Sequence, residues 1–298
     1  MIVTILLWIF RICIAGTGIL MVADIAKHKE NLCNTSGAQV GKSIFIGFIT
    51  NFGDTLGIGS FGPIVALFKL LKVDISDKEI PGTLNVSCAI PVLVEALIFT
   101  SAVEVEPITL VALLFAAALG SYIGAGIISK MDEMKIQIVM GVCLFVAAII
   151  MLVTHPALGL FEAGGTAKGL TGIKLIIGIV VNFILGALMT AGVGLYAPCM
   201  ALIFLLGMDV KAAFPIMMGS CAVLMPTCSV KFIKEQTYNK LVSILIAIGG
   251  VVGVFIAYKF FSSVDVNKLK FVIIAVILYT AYTMFSKGMK TKKARAMQ

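Results

Sequence analysis

Long apolar stretches dominate the chain, and polar residues fall between these stretches rather than alternating with apolar ones. Residues 107–129, 136–154 and 241–258 contain no charged residue. Each run reaches the roughly 18 residues that an α-helix needs to cross a bilayer core about 30 Å thick. Because the runs lack the period-2 alternation of a membrane β-barrel, they predict helices. The expected fold class is an all-α polytopic membrane protein.

Composition agrees with this fold class. The chain is 60% hydrophobic and only 13% charged, whereas soluble domains carry roughly 25% charged residues. This balance excludes a water-soluble fold. Residues 1–22 carry Arg11 in mid-segment and lack both a basic start and an A-x-A cleavage pattern. They therefore predict a membrane helix rather than a cleaved signal peptide.

Several motifs recur in the same order in the two halves of the chain. The pairs are Gly47-x-x-x-Asn51-Phe52 with Gly178-x-x-x-Asn182-Phe183, Gly57–Pro63 with Gly192–Pro198, Gly82-Thr83 with Gly219-Ser220, and Gly120-x-x-x-Gly124 with Gly249-x-x-x-Gly253. This order predicts structural repeats at 41–154 and 172–286. Residues 1–40 then form an N-terminal helix and a cytoplasmic loop, 155–171 a linker, and 287–298 a basic cytoplasmic tail.

Loop charges predict that the two repeats have opposite orientations. The basic tail favours a cytoplasmic C-terminus beside anionic lipid, rather than a nucleic-acid partner. Its basic residues are Lys287, Lys290, Lys292, Lys293 and Arg295. Counting back from this end places the acidic loop with Glu104 and Glu106 outside, and places Lys130 and Lys135 inside. Equivalent segments then run in opposite directions, as in inverted repeats of a plasma-membrane protein.

The glycine-rich blocks predict an interrupted helix in each half. As one helix, the uncharged stretch from 175 to 208 would be roughly 51 Å long, too long for one crossing. Glycine permits the backbone angles of a tight reversal. We therefore expect a broken-helix, re-entrant hairpin in each half, entering from opposite faces.

The helices that follow these breaks predict an anion site. They start near Ser60 and Leu195, and unpaired N–H groups at helix starts carry partial positive charge. The predicted substrate-binding residues are Asn51, Gly57, Gly59, Ser60, Thr83, Asn85, Asn182, Gly192, Gly194 and Ser220. Two alternatives stay open, since the glycines would also suit close helix packing and the asparagines would also tie backbone at the breaks.

Two acids inside apolar runs, Asp54 and Glu95, are candidate proton carriers. The alternative is that they reach an interface or hydrogen-bond backbone. Neither acid has an acidic counterpart in the second half. The seven cysteines lack CxxC spacing and predict buried free thiols. No metal site, cofactor or catalytic residue is expected.

The duplicated blocks Gly57–Pro63 and Gly192–Pro198, each followed by a Gly-Thr or Gly-Ser step, resemble the TauE/SafE sulfite exporter family, also called toluene-sulfonate uptake permeases. The resemblance covers about residues 41–286. It implies a permease that moves small sulfur-containing anions such as sulfite or organosulfonates, usually outward. The residues alone do not identify sulfur.

Other functions remain open from the residues. A passive anion channel uses the same electrostatics as a carrier. An exporter of thiol compounds or metals would explain the cysteines, although paired ligand spacings are missing. An intramembrane enzyme would need a base near Ser60, and the two histidines, His28 and His155, lie at segment ends. The expected partners are a small anion and membrane lipid, and the pattern leaves the oligomeric state open.

Overall fold

The computed structural model describes residues 2–27, 37–102, 104–159, 165–192, 194–260 and 267–296. Within these ranges the chain forms eleven α-helices, one short 3-10 helix (Pro156–Leu158) and no β-strand. The helices are α1 (Ile2–Lys27), α2 (Gly37–Thr55), α3 (Phe61–Leu70), α4 (Ile80–Ala102), α5 (Pro107–Ile128), α6 (Glu133–Val153), α7 (Gly172–Met189), α8 (Tyr196–Leu205), α9 (Val210–Lys234), α10 (Lys240–Phe260) and α11 (Asn267–Ala296).

Seven of these helices are long and apolar enough to cross a bilayer, namely α1, α4, α5, α6, α7, α9 and α10. Their outer faces carry large apolar side chains that a soluble protein would bury. Phe115 is 63% exposed and Phe255 is 57% exposed. Lipid tails are as apolar as these side chains, so this exposure costs little in a membrane. The chain is a multi-pass α-helical membrane protein, and the expected helical class is confirmed.

The centre of the bundle is formed by α4 and α9. In the α4 span 78% of the residues are buried and in the α9 span 67%, against 22% in α1 and in α7. α4 packs along α9 and α10, and α9 also packs along α5. These central helices carry fully buried polar side chains such as Glu95 and Ser220. Polar groups therefore face protein rather than lipid, where their desolvation would be costly.

Glycines allow the closest helix crossings, where α5 lies along α7 and α2 lies along α10. A Cβ atom placed on Gly124 would lie 2.6 Å from the Ala187 carbonyl oxygen. A Cβ atom on Gly253 would likewise collide with the Phe48 backbone. Small residues let backbones approach this closely. The two repeated G-x-x-x-G motifs therefore pack helices.

An ionic cluster around Asp77 joins three elements at one end of the bundle. Its carboxylate accepts from Lys69 of α3, from Gln137 of α6 (2.9 Å) and from Lys287 of α11 (2.7 Å). Burial alone would raise the pKa of Asp77, but the hydrogen bonds from Lys287 and Lys69 outweigh it and lower the pKa. A lowered pKa means that the folded state favours the ionised acid.

The last helix is longer than the sequence pattern indicated. α11 continues through Ala296, so residues 287–296 extend this helix instead of starting a separate tail. Lysine and arginine are good helix formers and interact favourably with a helix C-terminus. Arg295 also pairs with Asp132 at 3.1 Å, which holds the extension against the start of α6.

Replacing Gly124 with leucine should destabilise the protein, because the new side chain has no space between α5 and α7. Overpacking of this kind costs about 1–3 kcal/mol. Gly126→Leu is the matched control two residues away, since nothing lies within 4 Å of its Cβ position. Thermal unfolding in detergent measures both variants. Equal midpoints for the two would contradict the packing role of Gly124.

Asp77→Asn should remove part of the acid sensitivity of the fold. A carboxyl group with a lowered pKa contributes stability above its ordinary pKa, and this contribution is lost as the pH falls below about 4. The unfolding midpoint of the unaltered protein should therefore fall more steeply in this range than that of Asp77→Asn. Asp74→Asn, at an exposed position in the same loop, is the control. Parallel pH curves for all three proteins would contradict the prediction.

Candidate functional site

The first interruption, residues 56–60, separates α2 from α3. Gly57 and Gly59 have φ angles of +82° and +88°. Glycine adopts this left-handed region without the steric cost that a Cβ atom would bring. The Gly57 N–H donates to the Asp54 carbonyl oxygen at 2.8 Å and closes the turn. Local sequence therefore accounts for where α2 stops.

A second interruption, residues 190–195, separates α7 from α8. Gly192 has a φ angle of +99°, whereas Gly194 lies outside the left-handed region. Residue 193 falls outside the described part of the chain. Nothing lies within 4 Å of the Cβ positions of Gly59 and Gly194. Close helix packing therefore does not explain glycine at these two positions.

The two interruptions meet at one narrow cleft, which is partly open to the outside of the bundle. It is lined by Ile58, Gly59, Phe61, Gly62 and Pro63 from the first interruption and α3, by Gly194 and Tyr196 from the second, by Leu144, Ala147 and Met151 of α6, and by Ile277 of α11. The starts of α3 and α8 thus border the same space. The cleft is mostly apolar and has no charged side chain in its lining.

Asp54 is not part of the cleft lining, but it bonds to Ser60, which lies between the lining residues Gly59 and Phe61. Its Oδ2 accepts a hydrogen bond from the Ser60 hydroxyl at 2.8 Å. Asp54 is 2% exposed and Ser60 is 3% exposed. Two of the predicted residues are therefore in direct contact.

Glu95, on α4, links the two interruptions. Its Oε1 accepts from the Thr55 hydroxyl at 2.8 Å, and its Oε2 accepts from the Tyr196 hydroxyl at 2.7 Å. Thr55 ends α2, and Tyr196 begins α8. Sequence reasoning missed both partners, since a hydroxyl beside a glycine turn carries no signal until the helices are assembled.

The two buried carboxyl groups lie close together and lack a cationic partner. Glu95 accepts from the hydroxyl of Thr55, the residue that follows Asp54, so both acids belong to one polar cluster. Across the described ranges, no Lys, Arg or His forms an ion pair with either acid. Two adjacent like charges in an apolar interior are strongly unfavourable. The pair is therefore suited to hold a proton.

The predicted amide and hydroxyl ligands lie away from the cleft lining. Asn182 bridges three helices, since its Nδ2 donates to the Leu113 carbonyl at 2.7 Å and to the Ser220 hydroxyl at 3.0 Å. Asn51 donates to the Gly47 carbonyl within α2. The amide oxygens of both asparagines lack a hydrogen-bond partner among the described residues. Both side chains thus bond within or between helices, several residues before the breaks.

Thr83 and Asn85 lie near the beginning of α4. The Thr83 hydroxyl accepts from the Asn239 N–H at 2.9 Å, which holds the loop between α9 and α10. Asn85 donates to the Pro81 carbonyl and accepts from the Cys228 thiol. The structure does not bring these two side chains to the cleft.

Two of the cysteines belong to a further repeat that the motif comparison overlooked. Ser87-Cys88-Ala89 on α4 recurs as Ser220-Cys221-Ala222 on α9, which aligns Ser220 with Ser87 instead of with Thr83. The Cys88 thiol contacts the Ser87 hydroxyl at 3.7 Å, and the Cys221 thiol contacts the Met189 sulfur at 3.7 Å. Six cysteines are free thiols in the described part of the chain, and five of these are buried. Cys33 lies outside the described residues.

Comparison with known protein families identifies the family of this protein. The model of the sulfite exporter TauE/SafE family matches residues 1–151, about half of the sequence. The chain belongs to the TauE/SafE family. Its members are membrane transporters of the sulfite or anion export type, which agrees with the resemblance noted from the repeated glycine blocks.

The TauE/SafE match begins at α1, which the motif comparison had left outside the resemblance, and it ends within α6. It therefore covers the first interruption together with Asp54 and Glu95. Neither the comparison with curated proteins nor that with solved structures gives a match. The identity of the transported anion consequently has to be argued from the site.

Tyr196→Phe should destabilise this TauE/SafE protein, because fully buried Glu95 loses one of its two hydroxyl donors. An unsatisfied buried acceptor costs about 1–3 kcal/mol. Tyr279→Phe is the control, since Tyr279 is 70% exposed on the outer face of α11. Thermal unfolding in detergent provides the readout. A Tyr196 variant as stable as the control would mean that the bond to Glu95 does not stabilise the fold.

Proposed function

We propose that the protein is a secondary transporter that exports small sulfur-containing anions, such as sulfite or organosulfonates, across the plasma membrane. The observation that carries this proposal is the cleft shared by Gly59 and Gly194. One helix start from each half borders this cleft, and helix starts attract anions through their N–H groups. Family membership supports a sulfur anion as the cargo.

The cleft lining suits a weakly hydrated anion. Aliphatic side chains such as Leu144, Met151 and Ile277 form much of its wall. An apolar wall tolerates the organic part of a sulfonate, while the helix starts supply N–H donors for its oxygens. A fixed lysine or arginine would hold the anion more tightly and slow its release. The partial positive charges of helix starts therefore suit a transporter, which has to release the anion as well as bind it.

The packing pattern supports two inverted repeats with a hairpin in each. In the repeat, α2 corresponds to α7, α4 to α9, α5 to α10 and α6 to α11. When each helix is replaced by its counterpart, the α2–α10 contact becomes the α7–α5 contact, and the structure contains both contacts. The same exchange maps α4–α9 and α6–α11 onto themselves, and these contacts also occur. Together with the opposed loop charges, this favours alternating access by movement of one half against the other. The C-terminus then lies in the cytoplasm.

The carboxyl pair supports proton coupling. Asp54 contacts the start of α3, and Glu95 contacts the ends of both interrupted segments. A change of proton occupancy would alter the hydrogen bonds that position the two helix starts. Proton binding and anion binding would therefore both depend on the position of these two helix starts.

Transport into liposomes tests this function. The native protein should move sulfite or toluenesulfonate with saturation and respond to an imposed pH gradient, whereas a channel would conduct without saturation at low concentration. Gly194→Leu should abolish this flux, because the side chain enters the cleft at a position free of backbone strain. Gly59→Leu should do the same, with an added cost of about 1–2 kcal/mol from its positive φ angle.

Gly126→Leu, on the outer part of α5, is the control and should retain full flux. Sulfate, phosphate and divalent metal ions complete the substrate panel. Unchanged flux in both cleft variants would place the anion path elsewhere. Movement of metals but not of sulfur anions would contradict the proposed cargo.

A further inference from the structure

Asp54 occupies a hydrogen-bond donor that an incoming anion would also use. The Ser60 hydroxyl donates to its carboxylate at 2.8 Å. Ser60 is the N-cap residue of α3, so this carboxylate sits at the positive end of that helix. The protein thus places its own negative charge at one of the two helix starts beside the cleft.

The second half has no such group. Leu195 takes the place of Ser60 in the repeated block and has no hydroxyl. α7, which precedes the second interruption, contains no acidic residue. Among the described residues, Glu95 reaches the start of α8 only through the Tyr196 hydroxyl, whereas Asp54 bonds to the N-cap residue of α3.

The surroundings of Asp54 would not tolerate a second negative charge. The titratable groups close to it are Glu95 and Cys88 of α4, Tyr196 of α8 and Cys221 of α9. None of these groups is a cation. α10 packs along α2, but its lysines stand at its two ends. An ionised Asp54 and a bound anion would repel each other without compensation.

Building on the proposed function, we infer that Asp54 is an internal competitor of the transported anion, and that the anion binds at the cleft only when Asp54 carries a proton and releases the start of α3. Anion binding then takes up one proton. By linkage, a bound anion favours protonation of Asp54 to the same extent. This fixes the sign of the coupling, since lower pH tightens anion binding.

Calorimetric titration of the purified full chain with toluenesulfonate tests this inference. Toluenesulfonate stays ionised from mildly acidic to mildly alkaline pH, so every proton taken up comes to the protein. Titrations in buffers with different ionisation enthalpies count these protons. We expect uptake approaching one proton per anion at alkaline pH, and affinity that falls about tenfold per pH unit there.

Asp54→Asn should bind toluenesulfonate without proton uptake and with affinity independent of pH. Asp24→Asn is the matched control, because Asp24 is also a buried acid but lies on α1, bonded to Tyr238. This variant should behave like the native protein. Proton uptake that persists in Asp54→Asn, or native binding without any uptake, would overturn the inference.

Ser60→Ala provides a second test that does not depend on the folding of Asp54→Asn. Loss of the hydroxyl removes a hydrogen bond that stabilises ionised Asp54, so Asp54 should stay protonated to a higher pH. The pH at which half of the anion binding is lost should therefore move upward, while proton uptake persists. An unmoved midpoint would overturn the inference, because a merely structural Asp54–Ser60 bond would leave the midpoint in place.

The same titrations distinguish a wrong substrate from a wrong role of Asp54. If the native protein binds only sulfate, phosphate or chloride, with a proton uptake that Asp54→Asn removes, the proposed cargo is wrong and the competitor role of Asp54 stands. If neither protein binds any of these anions at any pH, both are wrong.

Discussion

An apolar environment offers no water to polar groups, and the arrangement of the central cleft depends on this constraint. Every N–H group at a helix start and every carboxylate must find its partner within the protein. Asp54 and Glu95 meet this requirement with hydroxyl groups instead of cations. Hydroxyl donors stabilise a carboxylate less firmly than a salt bridge would. The acids are held in place without a fixed positive charge beside them.

The carboxylate of Glu95 connects parts of the chain that are far apart in sequence. It accepts from Thr55 at the end of α2 and from Tyr196 at the start of α8. A helix of the first half is thereby hydrogen-bonded to the helix that follows the second interruption. Motion of either interrupted segment changes the hydrogen bonds of the same acid. Such a shared group is a physical means of linking the two halves, because each half bonds one of its two oxygen atoms.

Glycine serves two separate physical purposes in this protein. In the G-x-x-x-G motifs of α5 and α10 it removes a side chain so that two helix backbones can touch. At Gly57, Gly59 and Gly192 it permits a backbone angle that other residues adopt only with strain. The first use holds the bundle together, and the second ends helices beside the cleft. A substitution therefore acts on stability in one case and on the shape of the cleft in the other.

The sequence by itself determined the membrane class, the positions of the helix interruptions and the family. These features follow from local properties, since continuous apolar runs require helices in lipid and glycine permits the turns. Only the tertiary structure decided which predicted residues meet. It brought Gly59 and Gly194 to one cleft, and it placed Asn182 and Ser220 at a helix contact instead. It also added Tyr196, whose sequence position carries no sign of its partner. Contacts between distant residues depend on how the helices pack, and no local pattern encodes that packing.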